Sequence, residues 1–228
     1  MIFPIPHSEG HPALGAAAVL HERAGDDEQE WQLTLPAGRV QLTSISQRGG
    51  YNVTMNQGQA AFGAVIDAAD ETAWLNAFNL LECDRDPRLP ICVVSTGLPY
   101  LIVPITTTGL SKARIVVGDL ESRLASVGAS FAYLFDLDEL EGRTWDNQGV
   151  TEDIATGSAA GPVAALLVRH GLKQAGVPFA LNQGRYVGRA SRMAVEIRNK
   201  PGNAIPDVIL SGPVRMIARG FFDDEAVQ

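Results

Sequence analysis

Residues 152–161 read Glu-Asp-Ile-Ala-Thr-Gly-Ser-Ala-Ala-Gly and run directly into the apolar stretch Pro162–Val168, which stops at Arg169-His170-Gly171. An acidic pair, a Thr-Gly-Ser turn and a glycine stop describe a helix whose first turn is ready to hold an anion. The first N–H groups of a helix lack intrahelical partners and lie at the positive end of its dipole, so a carboxylate or phosphate is stabilised there. Asp153, Thr156 and Ser158 add polar side chains beside that start.

The same plan occurs near the other end of the chain. Glu9-Gly10-His11-Pro12 enters a small-residue helix through Pro12, a position where proline's missing N–H removes nothing the helix needs. Laying Gly10 on Gly157 pairs His11 with Ser158, Ala17 with Ala164, Ala18 with Ala165 and Leu20 with Leu167. Two related helix starts far apart in sequence predict a pseudo-duplicated protein with one ligand held between its halves. Two Gly/Ala-rich helices that merely pack closely on sheets would give the same pattern, because small-residue spacing is weak evidence.

The elements that must position these starts are legible between them. Trp31–Leu35, Arg39–Ile45 and Tyr51–Met55 alternate as strands, punctuated by Pro36-Ala37-Gly38 and Arg48-Gly49-Gly50, which predicts an antiparallel meander. A helix is expected from Asp70 to about Leu80, with Asp70 as its cap. Ile91–Ser95 and Tyr100–Ile105 are β-rich, and 106–109 is the expected crossover between lobes. A helix at Leu120–Ser126, a strand at Phe131–Phe135 and a solvated acidic stretch at Asp136–Glu141 follow. Phe179–Asn182, Ala194–Arg198, Val208–Ser211 and Val214–Arg219 read as four more strands. The expected fold is α+β, with lobes over residues 1–105 and 106–228, each a mixed, largely antiparallel sheet around a central helix.

Composition narrows the function classes. The chain has 228 residues, 46% of them hydrophobic and 19% charged, as in an ordinary globular protein with a real core. A net charge of −8 without a Lys/Arg stripe argues against nucleic acid. No apolar run reaches the roughly 18–20 residues of a membrane span, and the basic-then-apolar plan of a signal peptide is missing, so a cytoplasmic location is expected. Cys83 and Cys92 read as free thiols, buried or partly buried.

The chain resembles the PhzF-like phenazine-biosynthesis family, within the wider group that shares the diaminopimelate epimerase fold. The resemblance rests on Gly10-His11-Pro12, Ser95-Thr96-Gly97-Leu98-Pro99, the run Glu152–Gly161, and Gln183-Gly184 followed by Gly188-Arg189. These motifs span almost the whole chain. The resemblance implies an isomerase that moves a proton on a small carboxylic acid without metal or organic cofactor, in a cleft where the two helix starts meet. By motif, His11, Asp153 and Ser158 line that pocket, with Gly10, Thr156, Gly157 and Ala159 beside the substrate. Backbone donors at Gly157 and Ser158 grip its carboxylate or a developing oxyanion. A homodimer is the expected assembly.

Two departures from the family pattern shape the expectation. Family members carry an opening segment before Gly-His-Pro whose Ser-Glu-Thr turn supplies the principal acid/base; this chain begins almost at the motif, so that segment is expected to be absent. Asp70-Glu71-Thr72 comes after the motif and reads as a helix start instead. Glu9 stands where the related epimerases and proline racemases hold a catalytic cysteine, so it is the candidate general base, with a solvent-facing residue as the alternative. Thr156 occupies the matching place in the second motif, and its hydroxyl is a poor base, which disfavours a symmetrical two-base racemase. Asp153 is either a pocket residue or a helix cap, and Arg143 either balances the acidic pair or lies on the surface. The expected catalytic set is Glu9, His11 and Asp153. A non-catalytic remnant that binds a small anion or a protein is the alternative function.

Overall fold

A computed structural model describes residues 10–35, 38–199 and 206–220, without the side chains of His11 and Leu35. The described residues form the α-helices α1 (Gly10–Ala24), α2 (Ala68–Ala77), α3 (Thr107–Lys112), α4 (Leu120–Ser126) and α5 (Gly157–Arg169). The strands of the first half are β1 (Glu28–Leu35), β2 (Gly38–Gln47), β3 (Gly50–Gln59), β4 (Ala61–Val65), β5 (Cys92–Ser95) and β6 (Pro99–Ile105). Those of the second are β7 (Phe131–Asp136), β8 (Glu141–Arg143), β9 (Phe179–Gln183), β10 (Ser191–Arg198) and β11 (Asp207–Val214). They join into one sheet in the order β1-β2-β3-β11-β10-β9-β8-β7-β6-β5-β4. Among the described residues only β6–β7 and β8–β9 pair in parallel, so the fold is α+β with a largely antiparallel sheet. The sheet runs unbroken across residues 105 and 106, since β6 pairs with β7 and β3 pairs with β11.

Burial follows the side-chain period of two. In β5 to β7, Val94, Tyr100, Ile102, Tyr133 and Phe135 pack towards α5, while Val93, Leu101, Val103 and Leu134 join a second core with Trp74, Leu75, Leu110, Leu120 and Leu124 from the covering helices. Strands covered on both faces read as continuous apolar runs, which is why Tyr100–Ile105 was legible. β1 to β3 are covered chiefly by α1 and alternate instead. α5 is buried at every residue from Gly157 to Leu167, which requires its small side chains. Among the described residues no helix is long and apolar enough to cross a membrane.

Several local expectations are corrected. α2 starts at Ala68, with Asp67 and not Asp70 in the cap position though without a side-chain capping bond, because Ala68 and Ala69 extend the helix backwards. Residues 106–109, the expected crossover, are not patternless: the Thr106 hydroxyl accepts the Gly109 N–H at the start of α3. β4 was missed because Ala61-Phe62-Gly63-Ala64-Val65 is exposed throughout and poor in strand formers. The acidic stretch is only partly solvated, since Asp136 and Glu141 are buried between strands while Asp138 and Glu139 are exposed. Val208–Ser211 and Val214 form one strand that ends at Val214, not two. β10 pairs with β11 only as far as Ser211, so Pro213 lies where β3 is the single neighbour and its missing N–H is tolerated. Cys92 is buried, whereas Cys83 is exposed.

Candidate active site

The two glycines aligned in sequence are each the first residue of a helix, Gly10 of α1 and Gly157 of α5. The Thr156 carbonyl accepts the N–H groups of both Ala159 and Ala160 at 3.0 Å. Gly157 and Ser158 precede those bonds, so their N–H groups have no intrahelical partner. Both residues line a cleft of about 440 Å³. Pro12, in the first turn of α1, lies on the same cleft, so the two helix starts do converge there.

Asp153 borders the cleft and is exposed. Its backbone N–H is fixed to Thr144 O at 3.0 Å. One carboxylate oxygen accepts the Thr156 hydroxyl at 2.6 Å and the other accepts the Ala155 N–H at 3.3 Å. Both donors lie ahead of the helix, so Asp153 does not cap its first turn; Thr156, the cap by position, makes no side-chain bond into it. Ser158 exchanges a 2.8 Å hydrogen bond with the Tyr100 hydroxyl. Tyr100, Phe131 and Trp145 supply an aromatic wall that motif reasoning did not include, although Tyr100 directly follows the Ser95–Pro99 motif.

Arg143 fixes one end of this wall from below. It is buried and grips Glu152 in two parallel bonds of 2.8 and 2.7 Å. It also donates to Leu110 O and Ala113 O, and lies between the rings of Trp145 and Tyr186 at 4.6 and 4.5 Å. Trp145 and Glu152 bridge as antiparallel partners, which ties the wall to the acidic pair. Arginine is therefore a structural counter-charge for Glu152, not a surface residue.

Deeper still, Gln183 is fully buried at the end of β9. It donates to Asp153 O at 2.8 Å and Thr156 Oγ1 at 2.9 Å, and accepts from Tyr133 and from the Thr156 N–H, each at 3.1 Å. On the helix's other side, Gln57 donates to Gly157 O at 2.9 Å. A Cβ added at Gly161 would stand 2.0 Å from Gln57 Oε1, so glycine there lets the strand's side chain reach the helix start.

The remaining expected site residues are placed as follows. Glu9 lies outside the described residues, and for His11 only the backbone, second in α1, is described. Ala159 is not among the described residues that line the cleft, and its N–H is engaged by Thr156. Among the described residues no group of three or more His, Cys, Asp or Glu side chains is arranged to hold a metal ion.

Comparison with known proteins gives a consistent result. Residues 8–220 match the family model described as phenazine biosynthesis-like protein. The chain is 47% identical over 191 residues to a trans-2,3-dihydro-3-hydroxyanthranilate isomerase of Pseudomonas chlororaphis, covering 81% of this chain and 63% of that protein. It is 30% identical to an uncharacterized isomerase of Salmonella typhimurium, over 85% of this chain and 69% of that one. The solved structure of a predicted epimerase from Pseudomonas aeruginosa superposes with a TM-score of 0.88 at 46% identity, covering 96% of this chain and 75% of its own. The chain thus spans about two thirds of the length of the curated isomerases.

Proposed function

The chain belongs to the phenazine biosynthesis-like protein family, and on that footing we propose that it is an isomerase moving a proton on a small carboxylic acid seated at the start of α5. The observation that carries this reading is the pair of N–H groups at Gly157 and Ser158, unengaged within the helix and bordering the same cleft as the Asp153 carboxylate. A substrate carboxylate received by those donors gains most when a neighbouring proton leaves and negative charge spreads onto its oxygens. Donors fixed in advance stabilise that developing charge without having to reorganise.

In the proposed mechanism Asp153 accepts a proton or a hydrogen bond from the substrate, while Ser158, braced by Tyr100, orients it. By motif, Glu9 is the general base and His11 a donor to the substrate, and no organic cofactor is required. The naming of the relatives as isomerases supports catalysis over a binding-only remnant.

Deuterium incorporation from D2O tests this reading. With trans-2,3-dihydro-3-hydroxyanthranilate and a panel of small amino and hydroxy acids, the protein should label at least one compound, read by mass spectrometry. Asp153→Asn and Glu9→Gln should each slow labelling by about 100-fold while leaving circular dichroism unchanged. Labelling at the wild-type rate in both variants would refute the residue assignments, and no labelling by the wild type would refute proton transfer.

A further inference from the structure

The Gln183-Gly184 motif has no part in the site as drawn from the cleft alone, yet its side chain holds the turn that carries Asp153. Which end of the Gln183 amide faces which partner is settled by two obligate groups. The Thr156 backbone N–H can only donate, so the atom 3.1 Å from it is the carbonyl oxygen; Asp153 O can only accept, so the atom 2.8 Å from it is the amide nitrogen. That nitrogen also lies 2.9 Å from Thr156 Oγ1, which must therefore accept from it. A threonine hydroxyl has one proton. The Gln183 nitrogen cannot accept it, so the proton points to the remaining partner, the Asp153 oxygen 2.6 Å away.

We propose that Gln183 is a positioning residue that sets the direction of the hydrogen bond from Thr156 to Asp153, so that the Asp153 oxygen receiving it is held as an acceptor at the border of the cleft. The inference rests on the reading of Asp153 as part of the active site. Its surroundings are built for permanence. Tyr133, fully buried, donates to the Gln183 oxygen, and burial holds its phenol far above the ordinary tyrosine range, so it stays a donor. Gly142 leaves the space that Tyr133 fills, since a Cβ there would stand 2.1 Å from the phenol oxygen. Gly184, at φ +88°, lets the 153–156 turn press against β9; a Cβ would be 2.7 Å from Ile154 O and 2.3 Å from Arg189 O. Glutamine is the one side chain of this length that offers both a fixed donor and a fixed acceptor. Glutamate would offer acceptors only, and the Thr156 proton could then turn away from Asp153.

Neutron diffraction on the deuterated full chain reads the arrangement directly, whatever the substrate. The expected map has a deuteron on Thr156 Oγ1 aimed at Asp153 and none on the Asp153 oxygen that receives it. A deuteron on that oxygen, or a Thr156 deuteron aimed at Gln183, overturns the proposal. Kinetics with the most readily labelled compound supply the functional half. In Gln183→Glu, and in the near-isosteric Thr156→Val should the first fail to fold, kcat should fall by about tenfold or more with KM nearly unchanged. Tyr133→Phe, which removes a donor without altering the direction, should stay within about threefold of wild type. Equal losses in Tyr133→Phe and Gln183→Glu, or a loss confined to KM, would reduce Gln183 to a packing role and overturn the proposal. A wild type that labels nothing, combined with the expected map, refutes the proposed function and leaves the hydrogen-bond direction standing.

Discussion

At the scale of single residues, the site depends on polar groups that touch nothing bound in the cleft. Arg143 and Glu152 form a buried pair, their side chains 10% and 7% exposed, and the guanidinium donates two further protons to carbonyl oxygens. Such a pair contributes little net stability against an apolar replacement, but losing one partner leaves a buried charge unmatched. Arg143→Met is therefore expected to destabilise the protein by about 3–5 kcal/mol in urea unfolding, and adding Glu152→Leu should recover most of that loss. A single variant within about 0.5 kcal/mol of wild type would mean that Glu152 is hydrated or neutral. The motif around residue 152 was plain in the sequence, but its counter-charge was not. Arg143 is nine residues away, and nothing in its local context distinguishes a buried arginine from an exposed one.

Strands and helices set the site through close approaches that only glycine permits. β8 is three residues long, and its middle residue, Gly142, faces the ring of Tyr133 on β7. A methyl group there would lie 2.1–2.2 Å from three atoms of a ring that is itself fully buried and cannot swing away. Gly142→Ala should cost about 3 kcal/mol or more in urea unfolding. Removing only the hydroxyl with Tyr133→Phe should not rescue it, because the ring carbons clash as well. Rescue by Tyr133→Phe would show that the hydroxyl alone is crowded. The α5 motif was readable because a helix start, small side chains and a glycine stop are all local signals. β4 and the true end of β11 were not, because each depends on which neighbour strand is present to pair with it.

Across the whole molecule, the pairing of β3 with β11 and of β6 with β7 joins distant parts of the chain into one sheet, and the sheet buries charge where the sequence suggested solvent. Burial, with the nearby carboxylates of Asp136 and Glu139, raises the Glu141 pKa above its ordinary 4.5 against the pull of Arg185. The folded state thus binds this proton more tightly than the unfolded chain. Its contribution is fully present below pH 4.5 and is lost as pH rises through the folded value. Asp84 and Asp86 act in the opposite sense: burial pushes them up, but Lys112 and Arg88 with backbone N–H groups outweigh it and hold them below 3.8. Stability should therefore fall in acid as those two protonate. Glu141→Gln should melt higher than wild type at pH 7–8 and lose that advantage below pH 4.5. An advantage that did not change with pH would assign the effect to packing and not to charge. The sequence by itself determined the family, the two matching helix starts and most of the elements, because capping, periodicity and motif spacing are properties of short segments. The tertiary structure alone decided that Tyr100, Phe131 and Trp145 wall the cleft, that Arg143 answers Glu152, and that Gln183 reaches back 30 residues to Asp153. Contacts of that kind depend on strand order and burial, which bring together side chains that share no local pattern.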